Sequence, residues 1–221
     1  MTKHFEREID RLKRKILNLS SLAEDAVYKA VKSVEERNPQ MAEMVIQADK
    51  EIDSMEVEVE EDCLKILALH QPVAIDLRLI IAVLKINNDL ERIGDLAVNI
   101  AQRSRRLSNL TKVTTTFHFQ NMAVKVKQML RKSLESLVQL DPQIAYEVCA
   151  SDDEVDDMNR DMHKLIRESI KTHPEDLEAL LYFISVSRNL ERIADHATNI
   201  AEDVIYMANG EIVRHKVVDM K

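Results

Sequence analysis

An all-α fold is what this sequence predicts, and three observations predict it. Only two glycines, Gly94 and Gly210, and four prolines occur in 221 residues. Hairpins and bulges need Gly or Asn at positive φ, and parallel α/β folds need Gly in their phosphate-binding turns, so two glycines leave little room for either. Apolar residues recur every three or four positions between proline-marked joints, the period of a helix with one buried face.

The first helix is amphipathic, with Glu6, Arg7, Arg11, Lys13, Arg14 and Lys15 on a solvated face. Asn38-Pro39 closes it and opens the second: Pro suits the first helical position, where its missing N–H costs nothing, and Asn38 can cap. Met41, Val45, Ala48, Ile52, Met55, Val59 and Ile66 form the apolar stripe of that second helix. His70-Gln71-Pro72 breaks it, and Ile75, Leu79, Ala82, Ile86, Ile93, Ala97 and Ile100 mark the third. Arg103, Arg105 and Arg106 suit the negative end of that helix. Ser108 to Thr116 (SNLTKVTTT) is rich in residues that disfavour helix interiors, and it places a boundary between residues 1–110 and 111–221. Asp141-Pro142 and His173-Pro174 open the later helices as Asn38-Pro39 opens the second, Glu175 and Asp176 suit the positive end of the last one, and Asn209-Gly210 stops it. Six helices of about 30 residues, each spanning about 45–50 Å, account for the chain.

The halves repeat each other. Shifted by 103, Asn38-Pro39 falls on Asp141-Pro142 and Asp49–Asp53 (DKEID) on Asp152–Asp156 (DDEVD); shifted by 100, LERIGDLAVNIA at 90–101 falls on LERIADHATNIA at 190–201, identical at nine of twelve positions. Internal duplication is the simplest account, giving two tandem three-helix bundles whose short connections make neighbouring helices antiparallel.

Charge and composition exclude several classes. The net charge of −8 repels nucleic acid and anionic lipid. Cys63 and Cys149 stand alone, without CxxC, and read as reduced core thiols; the ten methionines read as core filler. The start MTKHFEREIDRLKRK has no apolar core of a secretory signal, and the longest apolar run, Leu79 to Leu84, is far short of the ~20 residues a membrane span needs. A cytoplasmic protein is expected. No P-loop and no GxGxxG is present.

Chemistry concentrates in four acid pairs spaced i, i+4: Asp49/Asp53, Glu91/Asp95, Asp152/Asp156 and Glu191/Asp195. Like charges so placed share a helix face and repel. Glu91 and Asp95 continue stripes that begin at Leu77 and Ile81, and Glu191 and Asp195 continue stripes from Leu177 and Leu181, so compensation is required. Two partners fit: cations held between facing pairs of one half by hard oxygen donors, or salt bridges to Arg92, Arg192, Lys50 and nearby bases. Asn99, Asn199 and His196 are candidate additional ligands. No His follows an acid by three residues, which disfavours a ferritin-like di-iron oxidase, and neither HExxH nor a Cys cluster supports a zinc site.

With LERIGDLAVNIA, its repeat LERIADHATNIA, the stretch ADKEID and HQPVAIDLRLI, the sequence resembles the PhoU family of phosphate-signalling proteins over nearly its whole length. The resemblance implies a cytoplasmic, commonly homodimeric, non-enzymatic negative regulator of the phosphate-starvation response. It implies two partners, the high-affinity phosphate ABC transporter and the phosphate-responsive sensor histidine kinase, while the net charge argues against nucleic acid. It also implies divalent or trivalent metal ions (Fe, Mn, Mg, Zn or Ca) at Asp49, Asp53, Glu91, Asp95, Asp152, Asp156, Glu191 and Asp195. The second half departs from the first in Ala194 for Gly94 and His196 for Leu96, and in lacking the Pro-x-x-x-Asp-Leu-Arg form of Pro72 to Arg78. Two rivals are a metal-dependent, phosphatase-like carboxylate enzyme and a metal-free helical adaptor.

Overall fold

Proline, capping side chains and left-handed residues set the joints of the chain, which a computed structural model describes over residues 3–113 and 119–210. Helices α1 (Lys3–Glu35), α2 (Pro39–His70) and α3 (Ile75–Leu107) form the first half. The second comprises α4 (Phe119–Gln139), α5 (Pro142–Cys149), α6 (Asp152–Thr172), a 3-10 turn (Pro174–Asp176) and α7 (Leu177–Asn209). Residues 114–116 of the Thr-rich joint and 211–221 at the end of the second half lie outside the described residues.

The duplication is visible in backbone detail. Arg37 and Leu140, at matched positions, both adopt the left-handed region at φ 50°. Immediately after them, the Asn38 N–H donates to Ser33 O at 2.9 Å and the Asp141 N–H to Ser136 O at 3.0 Å, the six-to-one bond of a Schellman stop. The same two residues then cap the next helix: Asn38 Oδ1 accepts from the Met41 N–H at 3.0 Å and Asp141 Oδ1 from the Gln143 N–H at 2.8 Å. Gly210 stops α7 at φ 73°.

Two joints differ from expectation. Pro174 opens the 3-10 turn, and α7 begins three residues later at Leu177. The helix matching α2 is also divided, into α5 and α6. At the break the Ser151 hydroxyl bonds back to Glu147 O at 2.9 Å, while the Ser151 N–H takes Val148 O, only three residues back, at 2.9 Å. That side-chain competition tightens one turn. Asp152, Asp153 and Glu154 then occupy the first turn of α6, at its positive end.

Helices α3 and α7 form the centre of the molecule. On α3 the fully buried Ile80, Ile86, Leu90, Ile93 and Ile100 recur at helical spacing, and on α7 Leu180, Leu190, Ile193 and Ile200 do the same. Full burial of each such side chain is worth about 1.5–3 kcal/mol. α3 packs as extensively on α7 as on the α2 of its own half, so one hydrophobic core runs through both halves. Polar pairs at this seam run antiparallel: Lys85 Nζ to Asp203 Oδ1 at 3.1 Å, Asn199 Nδ2 to Asp89 Oδ1 at 3.3 Å, and Arg103 Nε to Ser185 Oγ at 3.2 Å. The halves also meet through α1 and α4, where Lys127 Nζ stands 4.1 Å from the Tyr28 ring centroid. Among the described residues, no helix is long and apolar enough to cross a membrane.

Candidate functional site

Two acidic clusters occupy matched places, one where α2 packs on α3 and one where α6 packs on α7. In the first, Asp49 and Asp53 stand on α2, and Glu91 and Asp95 on α3. Burial, Asp53 and Asp95 together push the Asp49 carboxyl up to about 6. Glu91 is raised by burial, Asp95, Glu56 and Asp53, against the opposing charge of Arg92. The four acids therefore lie within electrostatic reach of one another across the helix pair.

Gly94 makes this approach close. A Cβ there would stand 3.1 and 3.2 Å from methyl carbons of Ile52 and 3.4 Å from Asp49 Oδ1. The missing side chain is what admits Ile52 against α3, three residues along α2 from Asp49. At the matched place the buried Ala194 carries a Cβ, so the second helix pair accommodates a methyl group.

In the second cluster Asp152 and Asp156 on α6 meet Glu191 and Asp195 on α7. The Asp195 side chain reaches solvent, yet protein crowds its carboxyl, and burial with Glu191, Asp152 and Asp156 pushes it up to about 6 despite His196. Asp152 is raised by burial, Asp156 and Asp153, and partly relieved by the Thr198 hydroxyl, which donates to its Oδ1 at 3.2 Å. Glu191 is raised by burial, Asp156 and Asp152, and eased by Arg188 and His163.

Salt-bridge compensation is present but partial. Arg92 Nη1 lies 3.0 Å from Asp95 Oδ2 and Arg92 Nε 3.4 Å from Glu91 Oε2, yet Glu91 stays raised. One guanidinium faces four carboxylates and Glu56 beside them. Among the described residues no three of these carboxylates bring oxygens within 4.8 Å of one another, so the clusters match a hard cation such as Mg²⁺, Ca²⁺, Mn²⁺ or iron in charge and donor type, and side-chain rotation would be needed to close on it.

His196 and Asn199 are directed elsewhere. His196 Nδ1 lies 2.7 Å from Asp89 Oδ1, and Asn199 donates to the same oxygen, so Asp89 of α3 engages both across the seam between halves. The reason is rotation: one helical face of α7 meets α6, and these residues lie on the face toward α3. Asn99 is half-buried one turn beyond Asp95. The stripes leading to the acids are also less buried than their composition suggests, with Leu77 at 39% and Leu181 at 52% exposure.

Several partners escape a reading by acid pairs alone. Glu56 joins the first cluster, raised by burial, Glu60 and Asp53, while Asn87 Nδ2 donates to Glu56 O at 2.9 Å and to its Oε1 at 3.3 Å. The matched residues are Asn159 and Ser187, which bond each other at 2.7 Å. His163 stands where the first half has Glu60, and its buried Nε2 lacks a hydrogen-bond partner. Positions 49, 53, 56 and 60 share one helical face, as do 152, 156, 159 and 163, so that periodicity was the available signal. The second cluster is thus the less acidic and carries an imidazole at its edge.

The family model described as PhoU domain matches twice, over residues 16–104 and 119–204. The phosphate-specific transport system accessory protein PhoU homolog of Clostridium acetobutylicum is 36% identical, covering 96% of this chain and 97% of that protein. PhoU homolog 1 of Thermotoga maritima is 34% identical over 94% and 90% of the two chains. Among solved structures, PhoU from Pseudomonas aeruginosa superposes with a TM-score of 0.92 at 33% identity, covering 94% of this chain and all of that one. The phosphate transport system regulatory protein PhoU from Streptococcus pneumoniae gives 0.88 at 27% identity, covering 95% and 99% of the two chains.

Proposed function

The chain belongs to the PhoU family, and from that premise we propose that it is a non-enzymatic cytoplasmic regulator that restrains phosphate uptake and the phosphate-starvation response. Its partners in this reading are the phosphate ABC transporter and the phosphate-responsive sensor histidine kinase, and it works as a homodimer. The names of the relatives, accessory protein of phosphate-specific transport, support the setting. The observation that carries the molecular part is the pair of acid clusters at matched places, each holding carboxyls raised by burial and by their neighbours. Asp49, Asp53, Glu91 and Asp95 hold metal in the first site, and Asp152, Asp156, Glu191 and Asp195 in the second. Metal in either site clamps two long helices, so occupancy and the docking faces of the bundle are coupled through rigid elements.

Affinity capture of the tagged protein from phosphate-replete and phosphate-starved cells tests the partners: the transporter or the kinase is retained in at least one state. Retention of neither in both states overturns the reading. Metal analysis of purified protein tests the sites, with content falling in Glu91→Gln and Asp95→Asn. The phosphatase-like alternative predicts turnover of a simple phosphoester with Mn or Fe present, abolished by Asp95→Asn; no such turnover is expected.

A further inference from the structure

A third cluster of metal-binding groups lies away from both acid sites, where the first turns of α1 meet the last turn of α2. His4 and Glu8 are four residues apart and share one face of α1. His70, the last residue of α2, closes on them from the neighbouring helix. His70 Nε2 is 2.5 Å from Glu8 Oε2, and His4 Nδ1 is 3.5 Å from the same oxygen. Among the described residues this is the one trio of His, Cys, Asp or Glu whose ligand atoms all lie within 4.8 Å of one another. The Phe5 ring packs edge-on to His70 with centroids 5.1 Å apart and fixes the imidazole plane.

We propose that His4, Glu8 and His70 bind a divalent transition-metal ion, Zn²⁺ or Ni²⁺, as a clasp between α1 and α2. Two imidazoles and a carboxylate form a borderline donor set, which favours Zn²⁺, Ni²⁺ and Cu²⁺ over the hard ions suited to the oxygen-only clusters. Ligand bonds of about 2.0–2.1 Å in a tetrahedral site place donor atoms about 3.3 Å apart. The contact between His4 and Glu8 already has this spacing, and the one between His70 and Glu8 opens to it by less than about 1 Å. Glu8 and His70 are about four-fifths buried and pre-positioned, while His4 is 74% exposed and swings onto the ion. Three protein ligands leave the fourth position to water. The clasp ties the start of α1 to the end of α2, next to the loop of residues 71–74 where Gln71 and Ala74 hold positive φ. It braces a joint whose apolar Val73 and Ile75 are about 70% exposed.

The test uses the full chain and Zn²⁺ alone, titrated in competition with a chromophoric chelator, with excess Mg²⁺ present to occupy oxygen-only sites. The parent protein takes up one tightly held Zn²⁺, and both His4→Ala and His70→Gln weaken that site by more than about 100-fold, beyond what losing an outer-shell partner costs. Asp49→Asn leaves it intact. His4→Ala keeps the metal-free melting temperature of the parent, because that side chain is mostly in solvent, so its lost binding cannot be ascribed to misfolding. Zn²⁺ binding unchanged in both His variants, or no competitive Zn²⁺ uptake by the parent, overturns the proposal and leaves a hydrogen-bonded His70–Glu8 pair.

Discussion

Burial of carboxyls, reinforced by repulsion among them, is the dominant residue-scale feature, and it sets a pH dependence. Asp49 and Asp195 are raised from the ordinary carboxyl value of 3.8 to about 6 in the folded protein. Between those values the native state binds more protons than the unfolded chain, so the stability these groups contribute is complete below about pH 4 and is lost as pH rises through 6. In a chelating buffer the protein therefore gains about 1–2 kcal/mol from these two residues on going from pH 7.5 to pH 5, once solvent screening of half-exposed groups is counted. The double variant Asp49→Asn/Asp195→Asn flattens this segment of the stability–pH curve and is the more stable protein at pH 7.5; urea midpoints at both pH values measure it. An unchanged curve would show that these carboxyls titrate normally. Cys63 and Cys149, both free, are pushed up to about 12 by burial and neighbouring acids. Both remain thiols at neutral pH and resist alkylation in the native protein.

At the scale of elements, the approach of α2 to α3 depends on Gly94. Gly94→Ala exchanges about 1 kcal/mol of helix propensity against crowding of the Ile52 Cδ1 and Cγ2 methyls, and its net effect stays within about 1 kcal/mol. Gly94→Leu has no such outlet and costs about 1–3 kcal/mol by overpacking. It also separates the acid pairs of the first cluster, and on the proposed metal reading metal content there falls while the second cluster is unaffected. Thermal denaturation with elemental analysis on both variants checks this; Gly94→Leu as stable as the parent would show that α2 and α3 are not tightly apposed. Helix identity in this protein was legible at the Pro joints, because a cap, a fixed φ and a missing donor act within four residues. The division between α5 and α6 was not, because one serine hydroxyl competing for a carbonyl leaves no mark on the apolar period.

For the whole molecule, the seam between α3 and α7 decides cooperativity. Asp203 is 2% exposed and meets Lys85, which is 39% exposed, so Lys85→Ala removes a cation from beside a nearly buried carboxylate and costs about 1–2 kcal/mol. The matched pair, Arg103 with the Ser185 hydroxyl, leaves no such charge behind, and Arg103→Ala costs about 0.5–1 kcal/mol. Equal costs would show that the seam is symmetric in energy as well as in sequence. Because one core spans both halves, urea unfolding follows a single transition by far-ultraviolet dichroism and by exchange of buried amides in either half. Two separated transitions would mean that the repeats are independent folding units.

The helical class, the duplication, most helix joints and the four acid pairs were legible in the order of residues alone, since period, proline and capping are properties of neighbouring residues. Packing of the whole chain selected which faces meet. It turned His196 and Asn199 to Asp89, added Glu56 and His163 to the edges of the acid clusters, and brought His70 onto Glu8 across 62 residues of chain. Local periodicity defines a face without naming its neighbour. The rotation of each long helix follows from burying its whole apolar stripe at once, so the partners of a polar residue depend on side chains dozens of positions away.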